Sequence, residues 1–419
     1  MKKIVVFALT CSLAGFVTSP GYADPSITSV SGRWTHKLTV NINGSGFGVK
    51  NSAAPLMWDD AESATVGTAP SGTANAQSQV GYSHWLPTAT RDRETITEPY
   101  QIKYRNVNYA PVFASVAGPH SNSTKYIAGG HEETPAWMAG RDVALTVATP
   151  SDFSNRWFVH FYYKLNPEWP VPCGTGRNHK ITCIQAGTQI YSNGPYDNQY
   201  HYWDFGDIHP CFGYDYVTIK TMPNGITGGG SSNVSDTSPP WIYQQDNQPV
   251  VPNPINEWIR ISQVIENDVG NAYFLINNQI MWGGSGNPYW FTDSGSNDLG
   301  FAGIRSFGIG GFYRYDFSRP TNNNAFRFFD DVYIDSTLSR VMLCNNATYT
   351  SARICDPQVP SAWGDASITV TVNQGSLPSG TAYLFIFDAN GVANAQGYLI
   401  SLVTESDQAL SPPTGLRID

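Results

Sequence analysis

Short strand-like runs recur along the whole chain, and they constrain its fold more than any other feature. Each run is rich in β-branched or aromatic residues and ends at Gly, Pro, Asn or Ser, which is typical of strands bounded by turns. Examples are HKLTVNI, RWFVHFYYKL, EWIRISQVIE, FRFFDDVYID and ASITVTV. No window of comparable length carries the period of an amphipathic helix. The pattern therefore predicts an all-β protein, a sandwich or a jelly roll.

The start of the chain has the features of a secretory signal. Residues 1–23 combine a basic start, an apolar run and a small-residue ending at Ala23. The apolar run is too short to span a membrane. We therefore expect a secreted or cell-surface protein, extracellular or periplasmic, that begins near Asp24. Loss of the two signal lysines takes the formal charge from -9 to -11, which disfavours nucleic acid because phosphate binding needs a basic patch.

Five of the six cysteines lie beyond this signal. An oxidising compartment favours disulfides, and the short separations favour pairing Cys173 with Cys183 and Cys344 with Cys355. Cys211 then has no partner. A zinc site is the alternative, but the chain contains no C-x-x-C pair. The sequence therefore predicts two disulfides.

The two ends of the mature chain resemble two halves of one domain. PSITSVSGRWTHKLTVNINGSGFG, residues 25–48, resembles the opening of an IPT/TIG immunoglobulin-like domain, and WGDASITVTVNQGSLPSGTAYLFIFDANGV, residues 363–392, resembles its closing half. Neither piece can form a sandwich alone, because a two-stranded ribbon is marginal in water. The resemblance implies a discontinuous Ig-like domain over residues 24–56 and 346–405, with a tail at 406–419. Two unrelated β appendages are the alternative.

The region between these halves, residues 57–345, resembles the concanavalin A-like jelly roll of lectins, glucanases and polysaccharide lyases. The resemblance rests on LMWDDAES at 56–63 and FRFFDDVYIDSTLSRVML at 326–343. It implies a jelly-roll β-sandwich inserted in an Ig-like β-sandwich. In related jelly rolls a structural Ca²⁺ often joins the first and last strands, and here Asp59 and Asp331 would be its ligands. Turn capping by these side chains is the alternative.

The residue types favour a lyase over a hydrolase. A retaining glucanase on this fold carries E-x-D-x-E or E-x-D-x-x-E, a spacing that the chain lacks. A lyase acts by β-elimination and needs a Tyr or His base beside a uronate, with Arg, Lys, Asn or Gln to neutralise the acid. In residue type the candidates resemble the sites of alginate lyases, although no Q-x-H strand is present. They are His160, Tyr162, Lys164, His179, Lys180 and His201.

Each histidine has an ordinary alternative as a hydrogen-bonded residue of a half-buried sheet. His160, Tyr162 and Lys164 share one face of RWFVHFYYKL, because side chains alternate along a strand. Binding without catalysis is the second interpretation, since aromatic rings stack on sugars. The predicted binding residues are Tyr200, Tyr202, Trp203, Trp282, Tyr289, Trp290 and Arg314.

The sequence therefore predicts a protein that acts on or binds an extracellular polysaccharide. A lyase is favoured, with a carbohydrate-binding module or an adhesive surface protein as alternatives.

Overall fold

The structure is a computed structural model of the chain. Its described residues are 24–67, 112–115, 117–132, 156–165, 178–186, 257–266, 271–284, 304–309, 313–314 and 326–403, with six further short strands. Within these residues there is one single-turn 3₁₀ helix, Tyr349–Ser351, and no α-helix. No helix in this part of the chain could cross a bilayer. The prediction of an all-β fold is confirmed.

Twenty-four strands are described, and those from residue 57 to residue 335 belong to the part of the chain that we call the inserted region. They are β1 Ser26–Ser31, β2 Thr39–Ser45, β3 Met57–Asp59, β4 Leu86–Pro87, β5 Lys103–Tyr104, β6 Val107–Asn108, β7 Val112–Ala114, β8 Tyr126–Glu132, β9 Arg141–Asp142, β10 Leu145–Ala148, β11 Arg156–Leu165, β12 Asn178–Ala186, β13 Phe212–Gly213, β14 Ile259–Glu266, β15 Asn271–Ile276, β16 Gln279–Gly284, β17 Ile304–Ile309, β18 Tyr313–Arg314, β19 Phe326–Asp335, β20 Arg340–Cys344, β21 Cys355–Trp363, β22 Ser367–Thr371, β23 Gly380–Phe387 and β24 Tyr398–Leu402.

Strands from the two ends of the chain form one antiparallel sheet of seven strands, ordered β1-β2-β22-β21-β20-β23-β24. Strand β2 pairs directly with β22, so that Val40 lies opposite Val370 and Ile42 opposite Ile368. The segments on either side of the inserted region are therefore joined by strand pairing. The boundaries of the domains and their IPT/TIG assignment stay predictions.

The seven-stranded sheet folds back around its own apolar core. Val40 and Ile42 are buried and alternate with exposed neighbours along β2, as expected for a strand with one core face. Strands from opposite ends of the sheet order contribute to a single cluster, which is the arrangement of a sandwich. Its members include Val40, Ile42, Val341, Leu343, Ile368, Val370, Leu384, Ile386, Ile400 and Leu402.

The inserted region contributes a sheet of nine strands and a sheet of six. In the larger sheet β11 lies between β14 and β19, and the first inserted strand, β3, pairs with the last, β19. Asp59 is opposite Val332 in this pairing. The smaller sheet has the order β13-β12-β17-β10-β4, and β18 pairs with β12.

One face of the nine-stranded sheet packs against the seven-stranded sheet, and we call this contact the junction. Its apolar part is a single cluster of buried residues, to which the nine-stranded sheet contributes Phe158 and Tyr333. The seven-stranded sheet contributes Met342, Cys344, Cys355, Val359, Phe385 and Phe387. The face of β11 that carries Phe158 is therefore covered by the part of the chain that follows the inserted region.

Cys344 and Cys355 form a disulfide between β20 and β21, which confirms one of the two predicted pairs. Cys173 lies outside the described residues, so its pairing with Cys183 stays a prediction.

Replacing both bonded cysteines, C344A/C355A, should lower the free energy of unfolding by about 3 kcal/mol, because the bond closes a short loop in the unfolded chain. Equilibrium denaturation measures the loss. An unchanged denaturation midpoint in the double variant would contradict it.

Candidate functional site

The six-stranded sheet brings together residues that the sequence assigned to catalysis and to sugar binding. His179 and Lys180 lie in β12, and Arg314 lies in β18. The antiparallel register places His179 opposite Tyr313 and Asn178 opposite Arg314. Directly opposed residues are the nearest neighbours across a sheet. The pairing therefore sets His179 beside Tyr313 on one face of the sheet and Asn178 beside Arg314 on the opposite face.

On its other side this part of β12 pairs with β13, where Lys180 lies opposite Gly213. Further along, β12 pairs with β17, so that Thr182 is opposite Ile309. The β12–β18 pairing therefore lies at the N-terminal end of β12, whereas the C-terminal end of β12 pairs with β17. We call residues 178–180 with 313–314 the β12–β18 site.

His160 and Tyr162 are placed differently, at the junction. Their relative exposures are 1% and 2%, so in this conformation a polysaccharide has no access to either side chain. His160 Nδ1 lies 2.9 Å from Ser262 Oγ. The Tyr162 hydroxyl donates to Asp356 Oδ1 at 2.8 Å and accepts from the Ser376 backbone N–H at 3.0 Å. Catalysis by this pair, which stays a prediction, would require the junction to open.

Asp356 is the centre of this polar network. It is fully buried and also accepts from the Ser376 N–H at 3.2 Å, while His160 Nε2 lies 3.6 Å from its Oδ1. Burial alone would raise the pKa of Asp356, but His160, Arg260 and Tyr162 outweigh it and the pKa is lowered. The carboxylate is therefore ionised inside the junction.

The pKa of Tyr162 is raised, whereas that of Asp356 is lowered. Burial first, and the Asp356 charge second, raise the pKa of its hydroxyl well above the usual value. A general base must lose its proton near the working pH. The environment of Tyr162 therefore opposes that role and suits a permanent hydrogen-bond donor.

A second polar network joins Asp331 to both sheets. Its Oδ2 lies 3.0 Å from His120 Nε2 and accepts from Asn373 Nδ2 at 3.2 Å. Asp59, the other predicted calcium ligand, accepts from the Ala61 N–H at 2.9 Å. Among the described residues no group of three or more His, Cys, Asp or Glu could hold a metal ion. The calcium site stays a prediction.

His36 borders this second network from the segment before β2. Its Nδ1 accepts from the Gln374 N–H at 3.4 Å. Burial lowers the pKa of His36 to about 4, and the charges of Lys37 and His120 act in the same direction while Asp331 and Glu62 oppose them. His36 is therefore neutral in the folded protein at pH values where it is protonated in the unfolded chain.

A pH dependence follows from this depressed pKa. The stability that a neutral His36 contributes is complete above about pH 6.5 and is lost as the pH falls toward 4. H36N can still accept the Gln374 hydrogen bond but does not titrate. Between neutral pH and about pH 4 wild type should lose up to about 3 kcal/mol more stability than H36N. Equal losses in denaturant titrations at both pH values would contradict this.

Lys164 lies beyond the junction, on the same strand as His160 and Tyr162. It is half-buried, and its Nζ is 5.6 Å from the centre of the Trp258 ring. Tyr126 and Phe328 pack around that ring with centroid distances of 5.6 and 6.4 Å. Trp258 is also half-buried. These contacts are those of a packed cation–aromatic cluster.

Several predicted site residues lie outside the described residues. They are Tyr200, His201, Tyr202, Trp203, Tyr289 and Trp290. Trp282 lies in β16, opposite Phe274. Its role in binding stays a prediction.

The sequence reasoning missed the residues that cover the predicted catalytic face. Asp356 and Ser376 come from β21 and from the loop after β22, and Arg260 donates to Ser376 Oγ at 2.5 Å. The sequence of β21 gave a misleading signal. Asp356 and Gln358 alternate with Pro357 and Val359, and alternating polar residues normally lie on a solvent-exposed face. In the structure, however, the first six residues of β21 are buried.

No protein-family model and no curated protein sequence matches the chain. Similar solved structures include the endo-β-1,4-glucuronan lyase from the fungus Trichoderma reesei, with 10% identity over 54% of this chain and 88% of that one and a TM-score of 0.33. The alginate lyase vAL-1 from Chlorella virus has 12% identity over 53% and 88%, with a TM-score of 0.31. A putative sugar binding protein from Bacteroides thetaiotaomicron has 9% identity over 67% and 99%, with a TM-score of 0.27. Similarity at this level assigns no activity.

Proposed function

We propose that the chain is an exported polysaccharide-active protein, and that the β12–β18 site is its catalytic centre, with lyase-type chemistry. The observation that carries the proposal is the register that sets Asn178 and His179 opposite Arg314 and Tyr313. Because directly opposed residues share a face, His179 and Tyr313 lie on one face of the pairing and supply the residue types that β-elimination uses as base and proton donor.

The proposed roles follow from the chemistry of each group. His179 would take the proton from the carbon next to the uronate carboxylate, and Tyr313, opposite it on the same face, would donate a proton to the leaving sugar oxygen. Asn178, Lys180 and Arg314 belong to the other face of the pairing, where they could hold an acidic sugar without taking part in this step. The seven-stranded sheet, the proposed Ig-like domain, would serve as a rigid mount because the junction fixes it to the nine-stranded sheet.

Binding without turnover is the second candidate, because the same opposed residues could hold an acidic sugar without a productive base. The purified protein should be incubated with neutral and uronic polysaccharides. Three readouts are needed: the ultraviolet absorbance of unsaturated uronates, reducing ends, and retention on immobilised polysaccharide. Unsaturated product from a uronic polymer is expected. Retention alone supports a binding module, reducing ends alone a hydrolase, and no response to any polymer would overturn the proposal.

A further inference from the structure

Lys50 and Asp335 meet where the inserted region leaves and re-enters the seven-stranded sheet. Lys50 follows β2, and Asp335 is the last residue of β19, shortly before β20 begins at Arg340. The two residues are 285 positions apart in sequence. Their side chains therefore lie at the two ends of the inserted segment, which we call the neck.

The amine and the carboxyl are in direct contact inside the protein. Lys50 Nζ lies 2.5 Å from Asp335 Oδ2, and the two side chains are 1% and 3% exposed. Nζ also donates to the Ala53 carbonyl at 2.9 Å and lies 5.4 Å from the centre of the Trp363 ring. The Tyr333 hydroxyl donates to Asp335 Oδ2 at 3.3 Å. Both reactive groups are thus held in place from several sides.

Burial favours the protonated form of the Asp335 carboxyl. Burial raises the pKa of Asp335, against the opposing influence of Lys50, Tyr333 and Ser336. Removing two ions from water is costly, and a buried pair can avoid part of that cost by sharing its proton as an amine and an acid. Condensation to an amide requires an unprotonated amine and a protonated acid. In water the ionisation of both groups opposes this condensation, and burial of the carboxyl lessens that opposition.

We propose that Lys50 and Asp335 become joined by an intramolecular amide bond. The Nζ lone pair attacks Asp335 Cγ, and the hydroxyl of the tetrahedral intermediate leaves with one amine proton as water. The new C–N bond replaces a C–O bond, and no oxidant or metal is consumed. The Tyr333 hydroxyl stabilises the negative charge on the carboxyl oxygen that it contacts. Fixed contact between the reacting groups replaces the high reactant concentration that the same step needs in solution.

The bond would close the neck covalently. The inserted segment would then be a loop whose ends are tied to each other as well as to strands of the seven-stranded sheet. The cross-link acts on the fold and is independent of the β12–β18 site.

Tryptic peptide mapping of the unfolded, reduced protein tests the bond directly. Trypsin does not cleave after an acylated lysine, so wild type should give a branched peptide that joins residues 38–91 to residues 328–340, lighter than their sum by one water. K50R keeps the positive charge but should give separate peptides, as should D335A. Recovery of free residues 38–50 and 328–340 from wild type would leave only an ion pair and overturn the proposal.

Discussion

The D356A variant is expected to lose about 3–5 kcal/mol of folding stability, the cost of removing one partner from a buried charged network. Asp356 is fully buried, and its carboxylate accepts from the Tyr162 hydroxyl and the Ser376 N–H. Alanine leaves both donors without this acceptor and leaves Arg260 without its buried counter-charge. Because these groups belong to different sheets, D356A should weaken the contact between the two sheets at the junction. Chemical denaturation at neutral pH measures it.

An exposed aspartate provides the matched control. Asp365 is exposed and accepts one hydrogen bond from the Gly48 N–H at 3.0 Å. D365A makes the same chemical change at the surface and should cost no more than about 1 kcal/mol. Equal denaturation midpoints for the two variants would show that the Asp356 network does not hold the junction.

A double-mutant cycle measures the interaction energy between Tyr162 and Asp356 apart from their other contacts. Y162F removes one donor to Asp356 and should cost about 1–2 kcal/mol on its own. If the two side chains act through their hydrogen bond, the Y162F/D356A variant should lose less than the sum of the single losses, by about 0.5–3 kcal/mol. Additive losses would assign their effects to other contacts.

Strand alternation predicted the fold well, because each face of a strand has one environment along its length. In β2 the buried residues Val40 and Ile42 are those that the alternation of HKLTVNI places together. The same rule grouped His160 with Tyr162 in β11. It could not predict what covers that face, because the covering residues come from β21, about 190 positions further along the chain.

The surroundings of Asp331 show a second limit of sequence reasoning. Asp331 has a backbone φ of 47°, and the pairing of β11 with β19 shifts register between His160 and Tyr162. A bulge of this kind redirects a side chain away from the strict alternation of its strand. The Asp331 carboxylate meets His120 and Asn373 as a result. A pattern of acidic residues cannot indicate which donors a bulge will bring to them.

The β12–β18 site was only partly predictable. His179, Lys180 and Arg314 were identified by residue type, but their proximity depends on a register between strands that are more than a hundred residues apart. Register is set by the whole sheet and by the connections between its strands. Sequence reasoning therefore identified these residues but could not predict that their strands lie next to each other.

Loss of turnover in H179A is the second large effect that we expect, a fall of about 10²–10⁴-fold if the imidazole takes the substrate proton. Y313F should fall by a similar factor, because Tyr313 lies opposite His179 on the same face and would no longer donate a proton to the leaving sugar oxygen. Production of unsaturated uronate measures both rates. R314A is the matched control, since Arg314 belongs to the same strand pairing but lies on the opposite face.

The pattern of losses decides where the site lies. If catalysis occurs at the β12–β18 pairing, H179A and Y313F should lose turnover while their free energies of unfolding stay within about 1 kcal/mol of wild type, as expected when no buried contact of the junction is disturbed. Full activity of both variants, together with loss of activity in Y162F, would instead move the chemistry to the junction. That outcome would require β11 to become accessible, because the Tyr162 hydroxyl is engaged by both Asp356 and Ser376 in the closed arrangement.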